Sequence, residues 1–576
     1  MHCQNDIGSD GESFTKERRS GAEKTMSKQQ DYDFDYLVVG SGFGGSVSAH
    51  RLTQKGYSVA VVESGKRWNA DNLPASNWRF WRWLWRPLLG LKGFFNIRWF
   101  RHVLILQGNA VGGGSVTYAN TLLVPKETVW DDGSWAGLTN WKQVMPRHYD
   151  SARAMLGVTE NRILGPADHA LKEIADDWGC GDTFYRTQVG VFFGNEEDEP
   201  GTRYDDPYFD GDGPARNSCI ACGGCMVGCR HNAKNSLDKN YLYFAEKQGA
   251  KVFAESKVVD VRPLGDAQGS QGYEVTAISS TSLFRKNVRR WRVRSVVFAA
   301  SSLGTQDLLF KLRDKGSLPN ISSQLGRRVR TNAESLIGVR VPGNPEMDKG
   351  IAIGSGVYLD EHTHIEATRY PKGSDAMGML VTAMTRGDTS ATRIAVWIKT
   401  VLKLLLTRPL QGIRMLIPFG MASQTIIFLC MQTLEGHIDM RYRRPWYWPF
   451  SKKMLSHGER IPTYIPQASD FAQRAAEKLG GMAGSLLTEV LFNIPATAHC
   501  MGGAAMGRSA DEGVIDYRNR VFGYQNMYIC DGSMLGANLG VNPSLTITAL
   551  TEHAMSHIPA KQELADENAA PNSAAA

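Results

Sequence analysis

DYLVVGSGFGGSVSAHRLTQKGYSVAVVES, residues 35 to 64, decides the fold of this chain. Tyr36 to Val39 is a short apolar run, as a buried parallel strand requires. The pattern G-x-G-x-x-G follows at Gly40, Gly42 and Gly45. Val47 to Thr53 then fits an amphipathic helix and Ser58 to Val62 a second strand, with Glu63 at its end. Gly40 allows the tight turn, Gly42 lets backbone approach a pyrophosphate, and Gly45 lets helix and strand pack closely. Glu63, eighteen residues after Gly45, suits the ribose hydroxyls. A lone glycine pattern is weak, but strand, glycines, helix, strand and acid in one unit specify a dinucleotide site. The acid at Glu63 speaks against a 2′-phosphate and leaves FAD and NAD both open.

The rest of the composition bounds what surrounds this unit. At 576 residues, two to four domains of ordinary size are expected. Hydrophobic residues make up 42%, enough for real cores. A net charge of +7 without a concentrated basic block argues against a nucleic-acid groove. Residues 1–30 are polar and mixed in charge and read as an unstructured tail, as do residues 561–576. No apolar segment opens the sequence, and Met26 offers a second start close to the first strand. The expected compartment is the reducing cytoplasm.

Three further stretches carry chemistry. QGNAVGGGSVTYAN, residues 107–120, holds a glycine run that permits close approach to a flat ligand. HCMGGAAMG begins at His499, and CDGSMLGANLGVNPSLTITALTEHAM spans 530–555. With the dinucleotide motif, these resemble the glucose–methanol–choline (GMC) family of FAD oxidoreductases, and within it the cholesterol-oxidase-like branch. The motifs stand in the family's order and the resemblance runs from about Asp33 to His557, least clearly in the middle third.

The resemblance implies site residues. Gly40, Gly42, Gly45 and Glu63 hold the ADP half of a non-covalent FAD, with Val258 or Val259 near the adenine. Gly113, Gly114 and Ser115 lie against the flavin, and Gly304 stands next to the cofactor. Asp531 and Gly532 sit near the ribityl–pyrophosphate region. Asn542 and Pro543 open a last helix aimed at the flavin's pyrimidine edge, where a positive dipole end stabilises negative charge. His499 and Asn542 match the catalytic pair. Alcohol oxidation needs a group to take or orient the hydroxyl proton, which histidine does near neutral pH. An asparagine holds the alcohol oxygen without adding charge.

The fold expected is α/β: a Rossmann-like, discontinuous FAD-binding domain with an α+β substrate-binding domain. FAD-domain segments are 31–130, 215–335 and 487–560; 131–214 and 336–486 form the substrate side. KVFAESKVVDV (251–261) and SVVFAA (295–300) read as further strands of the FAD domain.

WRFWRWLWRPLLGLKGFF (78–95) interleaves aromatic residues with arginine, and RIAVWIKTVLKLLL (393–406) is apolar on most faces, with Lys399 and Lys403 on one stripe. Both suit a peripheral membrane contact; buried lids or a subunit interface are the alternative. The second is roughly 20 Å long as a helix, too short to span a bilayer.

Two features depart from the family pattern. Its sterol-oxidising members move a ring double bond with a glutamate. The comparable stretch here, GMASQTIIFLCMQT (420–433), offers Ser423 and Gln424 instead, with Glu435 the nearest carboxylate. Coupled isomerisation is therefore not expected. CIACGGCMVGC places Cys219, Cys222, Cys225 and Cys229 at an iron–sulfur spacing. Arg230 follows where ferredoxins have proline, and no second run exists. Four thiolates can bind zinc or one cluster, but buried thiols are the favoured reading and no metal is expected.

The function expected is oxidation of a 3β-hydroxysterol, or another lipophilic alcohol, with oxygen as acceptor. Two alternatives are a dehydrogenase passing electrons to another acceptor and a non-catalytic lipid-binding flavin-fold protein.

Overall fold

The computed structural model describes residues 31–282, 284–385 and 390–563. The tail read at 1–30, and that at 561–576 beyond residue 563, lie outside the described residues.

β1 (Phe34–Val39), α1 (Phe43–Gln54) and β2 (Val59–Val62) form the opening unit. α1 starts at the glycines, four residues earlier than its amphipathic pattern suggests, because Gly42 caps it. β3 (Phe95–Trp99) and β4 (Leu104–Gly108) pair antiparallel ahead of the second glycine loop. α2 (Trp141–Leu156) and α3 (Pro166–Trp178) follow, then α4 (Tyr241–Lys247). The stretch 251–261 is two strands, not one. β5 (Lys251–Phe253) and β6 (Ser256–Pro263) are separated where Glu255 takes a φ of 51°. That turn lets β5 run parallel to β2 while β6 pairs antiparallel with β7 (Tyr273–Ser279). β8 (Arg289–Phe298) is longer than its apolar half, because its first residues extend the pairing to β7. α5 (Ser302–Lys315) returns across the sheet.

The second layer is antiparallel. Its strands are β9 (Ser335–Arg340), β10 (Ile353–Tyr358), β11 (Thr363–Thr368), β12 (Val381–Ala383) and, past the helices α6 (Ser390–Thr407) and α7 (Pro409–Leu416), β13 (Thr425–Gln432). A hairpin of β14 (Asp439–Arg443) and β15 (Lys453–His457) precedes α8 (Pro466–Lys478), β16 (Met482–Leu486) and α9 (Leu487–Phe492). β17 (Met527–Ile529) rejoins the first sheet, and α10 (Ser544–Ser556) ends the fold.

The first sheet has the order β5-β2-β1-β8-β7-β6, with β17 also on β8. Six of its strands come from the first 300 residues and β17 from the end, so the dinucleotide unit is discontinuous in sequence. The second has the order β12-β16-β9-β13-β11-β10 and ends on the two-residue strand Tyr185–Arg186. Alternation assigns its faces. Ile337, Val339, Ile365, Ala367 and Phe428 pack under α3 and α8. Leu336, Thr368, Ile427 and Leu429 face the other way, into a cavity shared with the first sheet.

Helix α2 lies within the segment read as substrate side. Its Trp141, Met145 and Tyr149 nevertheless join the core of the first layer, and Tyr149 Oη meets Thr546 Oγ1 of α10 at 3.0 Å.

Helices α6 and α7 cap the second sheet at β12 and β16. Arg393 pins the start, donating to Glu489 O at 2.9 Å, Asn493 Oδ1 at 3.2 Å and Thr463 Oγ1. Arg340 pins the end, donating to Ile417 O at 2.6 Å, Phe419 O at 2.7 Å and Arg414 O. Among the described residues no helix is long and apolar enough to cross a membrane. The aromatic stretch 78–95 is half core: Trp83 is buried and stacks on Phe95 at 4.5 Å, while Trp81, Leu88 and Leu89 stand exposed.

Candidate active site

A cavity of about 820 Å³ runs from the glycines of β1–α1 to the inner face of the second sheet. At one end backbone approaches backbone. Gly40 has a φ of +99°, and a Cβ there would stand 2.3 Å from Ala299 O. A Cβ on Gly113 would lie 2.6 Å from the Gly42 Cα, so the two glycine loops meet without side chains between them. Gly45 stands behind this surface, where a Cβ would strike Gly40 O at 2.1 Å. Its role is to let α1 pack on β1.

Gly40, Gly42, Gly113, Gly114, Val258, Val259, Gly304, Asp531 and Gly532 all line the cavity. Glu63 lines it too. Its carboxylate accepts from Ser41 N at 3.0 Å, Ser41 Oγ at 2.8 Å and Gly65 N at 2.7 Å, which fixes its orientation. Burial pushes this carboxyl above its usual range against those donors. Asp531 is raised by burial in the same way, with Ser533 and Thr305 opposing. Ser115 does not face the cavity, which corrects the expectation that it lies against the ligand. It is fully buried, its hydroxyl donates to Gly112 O at 2.7 Å and accepts from Leu237 N at 3.1 Å, and it braces the loop from behind. A bare-backbone cradle at the N-terminus of α1, with no acidic residue in the helix's first turn, fits the pyrophosphate of FAD.

At the other end the expected pair is brought together. The two-residue strand Ala496–Thr497 pairs with β4 and presents His499 to the cavity. Asn542 and Pro543 precede α10, whose first turn also lines it through Ser544 and Ile547. Asn542 Nδ2 lies 3.5 Å from His499 Nε2.

Two carboxyl groups that sequence reading missed organise the pair. Glu334 Oε1 accepts from His499 Nδ1 and lines the cavity. This fixes the proton on Nδ1 and leaves Nε2 as an acceptor. Burial depresses the His499 pKa, but the Glu334 charge and hydrogen bond more than offset it, and the net shift is upward. Glu366, from β11, accepts from Asn542 Nδ2 at 3.2 Å. It is fully buried, which lifts its pKa to about 8. Among the described residues Asn542 Oδ1 and Glu366 Oε1 are buried without a hydrogen-bond partner. Asn332 braces the approach to Asn542: it donates to Val541 O at 3.0 Å and accepts from Gly540 N at 2.9 Å.

The residues first considered for a proton shift lie elsewhere. Glu435 pairs with Arg330 at 3.0 Å, and Gln424 Oε1 accepts from Arg340 Nε at 3.1 Å. None of Ser423, Gln424 and Glu435 lines the cavity.

The cysteine run packs against apolar side chains. Among the described residues no three His, Cys, Asp or Glu side chains are placed to hold a metal. Cys219, Cys225 and Cys229 join an apolar cluster with Val189, Val191 and Ile351. Burial pushes the thiols of Cys219, Cys222 and Cys225 up, the last to about 11. Lys234 ties this loop to the glycine loop by donating to Val116 O and Tyr118 O at 3.0 Å and Cys225 O at 2.9 Å.

Comparison with known proteins places the chain. Residues 450–551 match the family model described as GMC oxidoreductase, and residues 38–69 match an NAD(P)-binding Rossmann-like domain. A cholesterol oxidase of Acinetobacter baumannii is 59% identical over 539 residues, covering 93% of this chain and 96% of that protein. A cholesterol oxidase of Mycobacterium tuberculosis is 44% identical over 541 residues, 92% of each. Among solved structures, pyridoxine 4-oxidase from Mesorbium loti superposes with a TM-score of 0.56 at 13% identity, over 91% of this chain and 98% of that one.

Proposed function

This chain belongs to the GMC oxidoreductases and is an FAD-dependent alcohol oxidoreductase, and from that premise we propose that its substrate is a 3β-hydroxysterol. The product is the ketone and oxygen is the final electron acceptor. The carrying observation is the pair His499 and Asn542, backed by Glu334 and Glu366, at the head of a largely apolar cavity that reaches the dinucleotide cradle. FAD held there would supply the acceptor for the carbinol hydride.

The chain's own residues handle the oxygen and the proton. His499 Nε2, unprotonated, receives the hydroxyl proton, and Glu334 stabilises the imidazolium that results. Asn542 Nδ2 is committed to Glu366, so Oδ1 is the atom left to accept from the substrate hydroxyl. The N-terminus of α10 lends positive potential to the same end of the cavity. Leu336, Ile353, Met377, Met421, Ile427 and Leu429 line the part that receives the ring system. Methionine conforms to irregular apolar shapes at small cost.

The reading includes a peripheral membrane contact on the cytoplasmic side. Ile394, Ile398, Leu402 and Leu406 of α6 are exposed, with Lys399 and Lys403 among them.

The test is an anaerobic visible spectrum of the purified protein before and after adding cholesterol. Bleaching of the flavin band, reversed by air, is expected. A flavin band indifferent to cholesterol would sink the sterol assignment.

A further inference from the structure

The hairpin of β14 and β15 ends in RRPWYWPFSKK, residues 443–453. Arg443 and Lys453 face each other across the last pair of the ladder, and everything beyond them is tip. The tip exposes four aromatic rings: Trp446 is 93% and Phe450 81% accessible, with Tyr447 and Trp448 also exposed. Arg443 and Arg444 lead into the rings, and Lys453 leads out beside Lys452, which is itself paired with Asp314. Trp448 is held locally, its Nε1 donating to Ser451 Oγ at 3.0 Å and the Lys453 Nζ lying 4.9 Å from its ring centroid.

Beneath the hairpin runs a groove of about 1510 Å³. Arg443, Arg444 and Lys453 line one side, and Arg98, Arg101 and Lys257 the other. The lining carboxylates are Asp307 and Glu459, and Asp307 is paired with Lys311 at 2.5 Å. The cations therefore outnumber their counter-charges. Desolvation by the groove walls, with Lys311 and Arg98 adding like charge, holds Lys257 below the usual ammonium range. Trp85, Leu88, Arg98 and Lys257 line both this groove and the active-site cavity, so the two are contiguous.

We propose that the hairpin tip and this groove are a docking site for a bilayer bearing anionic phospholipids. Trp446, Tyr447, Trp448 and Phe450 enter the boundary between headgroups and acyl chains. The cations set back from the rings take phosphodiester oxygens. A bilayer interface is layered in this order, aromatic rings at headgroup depth with arginine and lysine reaching phosphate. A protein partner would instead need a broad complementary face; a two-stranded tip with outward rings presents none. The site opens beside the cavity mouth, and its purpose rests on the lipophilic-substrate reading, since a sterol resides in such a bilayer. Its test is binding, which does not depend on turnover.

The full-length, FAD-loaded protein is sedimented with vesicles of phosphatidylcholine alone or with about a third phosphatidylglycerol. The expected result is about tenfold or greater preference for the anionic vesicles, weakened by salt. Trp446→Ser/Phe450→Ser lowers binding to both vesicles by about tenfold or more, the α6 face being left intact. Arg443→Glu/Arg444→Glu removes the anionic preference and leaves turnover of detergent-dispersed cholesterol unchanged. Equal binding to both vesicle types, or vesicle binding indifferent to both double variants, would overturn the proposal. So would displacement from vesicles by inorganic phosphate at unchanged ionic strength, which marks a small-anion site. A dimer in light scattering that Trp446→Ser dissolves, without vesicle binding, would overturn it in favour of a second copy.

Discussion

Glu334 and His499, 165 residues apart in sequence, are joined through Oε1 and Nδ1, so the imidazole meets the cavity with a fixed tautomer. The pairing also raises the histidine's pKa. His499 acts as a base only when neutral, so activity rises with pH through that raised value, above the usual histidine range. Glu334→Gln removes the charge and keeps the shape. The acid limb of the kcat profile is expected to move to lower pH while kcat falls by roughly 10²- to 10⁴-fold, because the imidazolium loses its counter-charge. Flavin content is expected to be unchanged. An unmoved acid limb would detach Glu334 from the titration of His499.

Glu366 makes a second prediction, on stability. Its folded pKa of about 8 lies above the ordinary glutamate value of 4.5. The native state therefore holds a proton that the unfolded chain has released across that window. The contribution is full below about pH 4.5 and is lost as pH rises through about 8. Glu489, also buried and raised to about 7, acts in the same sense. Thermal melts from pH 5 to 9 are expected to show the midpoint falling with pH, and Glu366→Gln to flatten the slope. Above about pH 8, where Glu366 is ionised and only accepts, the same variant offers Asn542 a donor as well as an acceptor. The amide is then free to turn, and kcat/KM is expected to drop by about tenfold or more.

How much of this was legible in sequence depended on locality. β1, the glycines, α1 and β2 are contiguous, and each residue's job is done by its neighbours, so the unit can be read from thirty letters. His499 and Asn542 came from motif resemblance, which carries no distances. Glu334 and Glu366 were missed for a physical reason. In Thr363–Thr368, polar and apolar residues alternate as they do in any sheet with one wet face. Here the polar face turns to the active-site cavity and Glu366 is fully buried. Periodicity reports that two faces differ, not what lies opposite either of them. Ser115 failed the other way: its glycine neighbours face the cavity, but the 3₁₀ turn of Gly113–Val116 rotates its hydroxyl toward Gly112 and Leu237.

A third prediction tests the cradle. At Gly113 the φ is +53°, and an added Cβ would lie 2.6 Å from the Gly42 Cα. The Gly42 Cα is backbone and the Cβ position is set by the Gly113 backbone, so neither can swing aside. Gly113→Ala is expected to push the two glycine loops apart and yield protein with about a tenth or less of the wild-type flavin. The ratio of visible to protein absorbance measures this directly. Full flavin occupancy would mean the loops tolerate separation and the close approach is incidental.

The cysteine loop supplies the last test, because Lys234 ties it to the glycine loop. The Lys234 ammonium is buried and donates to three carbonyls, two on the glycine loop and one on the cysteine run. Lys234→Met fits the volume and removes all three donors, leaving buried acceptors that each cost about 1–3 kcal/mol. The expected outcome is a lower melting temperature together with faster flavin loss on dilution, since the glycine loop loses its tether. Cys225→Ala deletes a buried thiol with no such tether and is expected to lower the melting temperature while leaving flavin retention intact. If the two variants lost flavin equally, the thiols themselves would have to take part in holding the loop.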